Sequence, residues 1–259
     1  MNYLTKLDKT LTKLAVVGFI FLAASVLLSP ASAQTDQTLF AIEKNTIPPP
    51  FSAEYSISMG SMQLGQLIIE LLNDETNAWT YRATTQAQGL AAMFVGGKKM
   101  IETSHLEVIG DSIRPVLLER IQITNNDNKS ERAVYEWHNN LVKTSYKDRR
   151  LQHTLNKYSL DKFTLQLALM SNLKTLPKRS KVAVISKAKI KNYVILRHGE
   201  KTIQTPYGKR HAILIERQRG DGSYIIWADK KKYGLPLKIQ HTKNGKIQYE
   251  VMLTSTSLL

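Results

Sequence analysis

The chain has no cysteine in 259 residues. Disulfides, thiolate metal sites, cysteine nucleophiles and a lipid-modified N-terminal cysteine are all excluded, so the core alone must hold the fold. Nucleotide and hydrolase motifs are missing too. There is no G-x-x-x-x-G-K-[ST], since Gly97-Lys98 and Gly208-Lys209 lack the upstream glycine. G-x-G-x-x-G and the β-α-β unit it requires are absent, as is a G-x-S-x-G nucleophile turn. The six histidines, His105, His138, His153, His198, His211 and His241, never stand three or four apart, so no spacing marks a zinc site. The acids Glu54, Glu70, Glu102, Glu107, Glu119, Glu216, Asp221 and Asp229 are scattered over strand-like segments, where solvation is the ordinary fate of a carboxylate. No cofactor is implied, and the reading is of a protein that is not an enzyme.

Long apolar runs are scarce as well. The first 33 residues hold the main one, Leu14 to Leu28, preceded by Lys6, Lys9 and Lys13 and followed by Ser29-Pro30 and Ala31-Ser32-Ala33. Its 15 residues fall short of the roughly 20 needed to span a bilayer. A positive segment, an apolar segment and an A-x-A site in that order predict a secretory signal cleaved after Ala33, and a soluble periplasmic protein of the cell envelope. Residues 34–50 then read as a proline-rich leader, stiffened by Pro48-Pro49-Pro50, and residues 51–259 as a single domain.

Positive charge is abundant. The net charge is +15; the signal segment carries +2 of it, leaving +13. Such a chain is drawn to anionic surfaces, here a membrane surface or lipopolysaccharide, while export argues against nucleic acid. Solubility alone is the plainer explanation. The oligomeric state is not legible.

Period-two alternation dominates what remains. Phe51, Ala53, Tyr55, Ile57 and Met59 alternate with Ser52, Glu54, Ser56 and Ser58, as on a half-buried strand. Further strands are predicted at Leu64–Leu72, Trp79–Ala87, Lys99–Ile109, Ile113–Thr124, Glu131–Trp137 and Leu141–Tyr146. Beyond them come Val182–Ile185, Tyr193–His198, Lys201–Thr205, His211–Arg217, Tyr224–Ala228, Leu237–His241 and Ile247–Thr254. Asn139-Asn140 and Asn244-Gly245 suit positive φ in tight hairpins. One helix is predicted over Leu160–Leu173, apolar nearly all round, capped by Ser159 or Asp161 and stopped by Pro177. About a dozen strands in an all-antiparallel meander must curl or close. The predicted fold is therefore mainly β: a curled antiparallel sheet or open β-barrel with one buried helix in or against it.

Three stretches invite a functional reading. Gly89–Gly97 is an apolar, glycine-bounded patch followed by Lys98-Lys99; it is either a mobile gate to a greasy interior or a loop tucked under the sheet. The helix, with Phe163, Leu167 and Met170, either lines a lipid-sized cavity or is plain core. Lys230-Lys231-Lys232 beside Trp227 and Tyr233 is either a solvated turn or an interfacial anchor. The candidate ligand-binding set is Arg82, Lys98 and Lys99 for a headgroup and Leu90, Met93, Phe94, Phe163, Leu167 and Met170 for an apolar wall.

Phe51-Ser52-Ala53-Glu54-Tyr55, Gly65, Arg82 and Gly89-Leu90-Ala91 form one set of framework segments. Thr205-Pro206-Tyr207-Gly208, Ile215-Glu216-Arg217, Trp227-Ala228-Asp229 and Leu235-Pro236-Leu237-Lys238-Ile239 form another. In this order they resemble the exported bacterial domain-of-unknown-function family 3108, over roughly Pro50 to Ser255. The resemblance implies a fold similar to the LolA/LolB lipoprotein carriers, an open barrel with an apolar cavity. It implies no activity and transfers no ligand-contacting residue. The expectation is a non-catalytic protein binding a lipid or other amphiphile in a concave interior. The alternative is a structural or interaction module contacting another envelope protein or an anionic polymer. A third reading, an enzyme on acidic envelope polymers, needs two close acids in a cleft.

Overall fold

A computed structural model describes residues 40–74, 78–89, 92, 99–123 and 129–259. Among them sixteen strands form one sheet that wraps a single α-helix. The strands are β1 (Ile42–Glu43), β2 (Phe51–Met59), β3 (Met62–Asn73), β4 (Trp79–Ala87), β5 (Lys99–Ile109), β6 (Ser112–Ile123), β7 (Lys129–Glu136) and β8 (Leu141–Tyr146). They continue as β9 (Arg149–Thr154), β10 (Leu160–Asp161), β11 (Arg179–Ser186), β12 (Lys189–Thr205), β13 (Gly208–Arg219), β14 (Gly222–Asp229), β15 (Pro236–Lys243) and β16 (Lys246–Thr256). The helix, α1, spans Lys162–Ser171.

The order across the sheet is β10 to β16 and then β2 to β9, so the last strand pairs with the second and the sheet's free edges are β9 and β10. The curled antiparallel sheet predicted from alternation is thus what forms. One ladder departs from the all-antiparallel meander: Leu160 and Asp161 run parallel to Val184 and Ile185, because the chain turns directly from β10 into α1. The split expected at His198–Glu200 is also absent. β12 passes through as one strand of 17 residues with a bulge between Arg197 and Glu200. Residues before Phe51 join the fold: β1 pairs with β6, and Phe40, Ile42 and Ile47 are buried in the core.

Alternation is obeyed where it was clearest. Phe51, Ala53, Tyr55 and Ile57 are buried on β2, and Trp79, Tyr81, Ala83 and Thr85 on β4. Asn140 adopts φ 51°, and Asn244 and Gly245 adopt 50° and 70°, as a tight hairpin requires.

α1 lies on the concave side, and every residue from Lys162 to Met170 is buried. Asp161 caps it, accepting from the backbone N–H groups of Phe163 and Thr164, while Thr164 Oγ1 accepts from the Asp161 N–H. Phe163 stacks on Tyr81 of β4 at 5.0 Å. At the other end Asn172 Nδ2 donates to Ala41 O at 2.8 Å, and Gly234 lies directly against Met170. The helix therefore bridges opposite parts of the wall, and burial of each large apolar side chain contributes about 1.5–3 kcal/mol.

No ladder joins β9 to β10. Across that seam the β11–β12 turn reaches over: the Lys187 N–H donates to Glu131 Oε1 of β7, and Ala188 O lies 3.4 Å from His153 Nε2 of β9. Side chains and one turn, rather than backbone pairing, complete the enclosure.

Candidate functional site

The interior is not uniformly apolar. On β5 the inward phase is Met100, Glu102, Ser104, Leu106. On β6 the register shifts near Val116, so Leu118, Arg120 and Gln122 turn inward. On β7, Glu131, Ala133 and Tyr135 do so. Register then sets Glu102, Arg120 and Glu131 side by side in one cross-strand row. They are only 1 %, 3 % and 3 % exposed.

Two further cations meet the row. Lys162, at the start of α1, places Nζ on Glu102 Oε1, and Arg120 Nε lies 3.5 Å from the same oxygen. Arg120 also donates to Met100 Sδ at 3.1 Å and to Gln122 Oε1 at 3.3 Å. Lys187 enters from the β11–β12 turn, with its ammonium 5.6 Å above the Tyr146 ring. Burial, then the Arg120 and Lys162 charges, press its pKa down to about 8 against the pull of Glu131 and Glu102. Beside the row, Ser104 Oγ donates to Asp161 Oδ2 at 2.5 Å, and burial still raises the Asp161 pKa above its usual value. Lys191 Nζ donates to Ser186 Oγ at 3.2 Å.

The ionic row is not saturated. Glu102 Oε2 and Glu131 Oε2 are buried and have no hydrogen-bond partner among the described residues. A buried polar atom left so costs about 1–3 kcal/mol, more for a charged group, and native interiors hold few. Glu102 therefore departs from the solvated fate expected of the acids on strands, and Glu131 is buried beside it. A bulge that inverts the phase of β6 and a helix start that delivers Lys162 keep them dry.

A second polar row lines β13 to β16. Register joins Arg217, Tyr224, His241 and Tyr249 in sequence. The Arg217 guanidinium lies 4.2 Å from the Tyr224 ring and 5.2 Å from Tyr193; His241 stacks on Tyr224 at 4.4 Å, and the Tyr249 hydroxyl donates to that of Tyr224 at 3.3 Å. Burial lifts both tyrosines above their usual pKa. Burial and the nearby Arg217 and Lys243 charges push His241 down to about 4.

Of the residues expected to hold a ligand, Phe163, Leu167 and Met170 come together in the core around α1. Arg82 does not join them: it stands on the outer face, 41 % exposed, with Nε 2.9 Å from Glu70 Oε2. Lys99 is half-buried at the start of β5, in the phase opposite to Met100. Leu90, Met93, Phe94 and Lys98 lie outside the described residues, as does most of the Gly89–Gly97 patch. The Lys230-Lys231-Lys232 run forms an ordered turn, with Asp229 Oδ1 accepting from the N–H groups of Lys231 and Lys232. Among the described residues no group of three or more His, Asp or Glu side chains is placed to hold a metal ion, and no helix is long and apolar enough to cross a membrane.

Sheet, internal helix and enclosed ionic row define a barrel-like β-protein with a mixed interior, apolar around most of α1 and charged at its N-terminal end. The chain belongs to the protein family of unknown function DUF3108, whose pattern matches residues 54–252. A comparison with curated proteins returns no match. Among solved structures the chain is similar to a β-barrel-like protein of the domain of unknown function DUF1849 from Brucella abortus. The TM-score is 0.53 at 8 % identity, covering 82 % of this chain and 99 % of that one. At that identity the likeness is one of fold alone.

Proposed function

We propose that this is a non-catalytic envelope protein that receives a lipid or other amphiphile in its concave interior. The observation that carries the reading is the division of that interior. Phe163, Leu167 and Met170 supply apolar surface, while Glu102 and Glu131 present buried oxygens that have no hydrogen-bond partner among the described residues. Burial of an acyl chain would drive binding at about 0.8 kcal/mol per CH₂, and polar groups would fix orientation. The signal-like order of Met1–Ala33 supports a periplasmic address, and the net charge of +15 supports contact with anionic lipid or lipopolysaccharide. A carrier role of the kind the LolA/LolB resemblance implies is consistent with this interior.

The test is native mass spectrometry of the protein purified from the periplasm, followed by organic extraction and binding of a fluorescent fatty-acid probe. A co-purifying amphiphile in stoichiometric amount is the expected result. An empty protein that also ignores the probe overturns the reading.

A second reading is favoured by one observation. Leu167 is fully buried and Phe163 is stacked against Tyr81, so the helix already fills space that a cavity would need. In that case the protein is an interaction module, using the exposed edge strand β9 or the basic surface. Cross-linking in intact cells that returns one protein partner at Arg149–Thr154, together with a ligand-free interior, selects it.

A further inference from the structure

We propose that the Glu102–Arg120–Glu131 row is a binding site for a neutral polyhydroxyl group, a sugar or glycerol headgroup, held through hydroxyl donors to Glu102 Oε2 and Glu131 Oε2. The inference rests on the amphiphile reading and names its headgroup class.

Three observations select that chemistry. Among the described residues, the two carboxylate oxygens without hydrogen-bond partners are acceptors on side chains nine-tenths or more buried, so they call for a donor, while the buried Tyr135 hydroxyl on the same strand as Glu131, also without a partner, can donate or accept. An anion is excluded by the same two oxygens, which would face it at close range in a dry interior. A cation is disfavoured because Arg120, Lys162 and Lys187 already meet Glu102 and Glu131 there; burial first, and then the Arg120 and Lys162 charges, hold the Lys187 amine low. A hydroxyl satisfies both sides. It donates to a carboxylate oxygen and accepts from guanidinium or ammonium without adding charge.

The way the row is built supports a site rather than a packing accident. Lys187 and Ala188 are the two central residues of the β11–β12 turn, and both adopt left-handed backbone, φ 52° and 55°. Neither is Gly or Asn, so the turn is strained, and it holds Lys187 against Glu131 across the sheet's open seam. Strain of this sort persists where the surroundings over-determine it, which is the habit of ligand clamps.

Calorimetric titration of the full-length mature protein below the detergents' micelle thresholds tests the site. The probes are octyl β-glucoside, its tetra-O-methyl derivative and methyl β-glucoside. The derivative keeps chain and ring and loses every hydroxyl donor. Octyl glucoside is expected to bind about tenfold or more tighter than the methylated compound. Glu131→Gln, which turns one acceptor into a donor, is expected to abolish that difference, and Arg82→Gln to leave it unchanged.

Equal binding of the two octyl compounds overturns the headgroup site and leaves the amphiphile reading standing. Methyl glucoside binding as tightly as octyl glucoside keeps the hydroxyl site and removes the amphiphile reading. No binding by any probe overturns both. If Glu131→Gln does not fold, the comparison of the two octyl compounds on the native protein decides alone.

Discussion

Replacing Lys162 by Met removes an ammonium from Glu102 while keeping the buried methylenes at the start of α1. The side chains of Lys162 and Glu102 are 2 % and 1 % exposed, so water cannot take the place of the lost partner. Breaking a buried ion pair from one side costs about 3–5 kcal/mol, because the remaining charge stays desolvated. Here Arg120 remains 3.5 Å from the same carboxylate oxygen, and that contact places the expected cost at the lower end, about 3 kcal/mol. Against a total stability of about 5–15 kcal/mol the loss is easily measured. Urea unfolding followed by the fluorescence of the three tryptophans, with linear extrapolation, gives the number. The double variant Glu102→Gln/Lys162→Met removes both charges and is expected to recover most of the loss, leaving a coupling of about 2 kcal/mol in the double-mutant cycle. A single variant costing less than about 1 kcal/mol, or effects that simply add, would refute the claim that this pair is a dry, mutually dependent unit.

His241 titrates near 4 in the fold and near 6.5 in the unfolded chain, so the unfolded state binds the extra proton between those values. Stability is therefore full above pH 6.5 and falls as pH drops towards 4, by about 1–2 kcal/mol once solvent screening of a half-buried ring is allowed for. Denaturation at pH 7 and pH 4.5 should show that slope, and His241→Phe should flatten it; an unchanged slope refutes the assignment. Gly234→Ala is expected to cost about 2–4 kcal/mol, since φ is +63° and a Cβ would sit 3.0 Å from the Met170 Cα and carbonyl oxygen. A melting temperature within a degree of the native protein's contradicts that close approach. Arg82→Gln breaks only the outer-face pair with Glu70 and should move stability by less than about 0.5 kcal/mol in urea unfolding. A larger effect would show that Arg82 acts beyond that pair.

The seam between β9 and β10 bears on both functional readings. An open β-barrel closed by a turn can admit a ligand without breaking a ladder, whereas a fully paired barrel cannot. The Lys187 N–H to Glu131 bond and the Ala188 O contact with His153 are the links that would have to release. The first of them ties the enclosure of the interior to the same carboxylate that the proposed headgroup site uses.

Much of the fold was legible because alternation along a strand is a local property. Phe51 to Ile57 and Trp79 to Thr85 each show one apolar phase, and the sheet buries that phase. The apolar sequence around Phe163 and Leu167 likewise marked a helix apolar nearly all round, which forms over the shorter span Lys162–Ser171, capped by Asp161, one of the two caps foreseen. Segment order could not reveal that β16 returns to pair with β2, since that pairing joins residues some 200 positions apart. Nor could it show the charged row. On β6 the apolar reading favours Ile121 and Ile123, yet these are 54 % and 50 % exposed while Arg120 and Gln122 are buried. The register shift beside Val116 reverses which face looks inward, and a one-residue slip moves every later side chain to the other side. Lys162 and Lys187 reach that row from a helix start and a turn far away in the chain. Sequence alone determined most of the strands, though not the edge strand Arg149–Thr154, and with them the buried helix and the excess of positive charge, because each is written in neighbouring residues. Only the tertiary structure decided which acids stay dry and which cations meet them, because that depends on a bulge, a seam and contacts between distant segments.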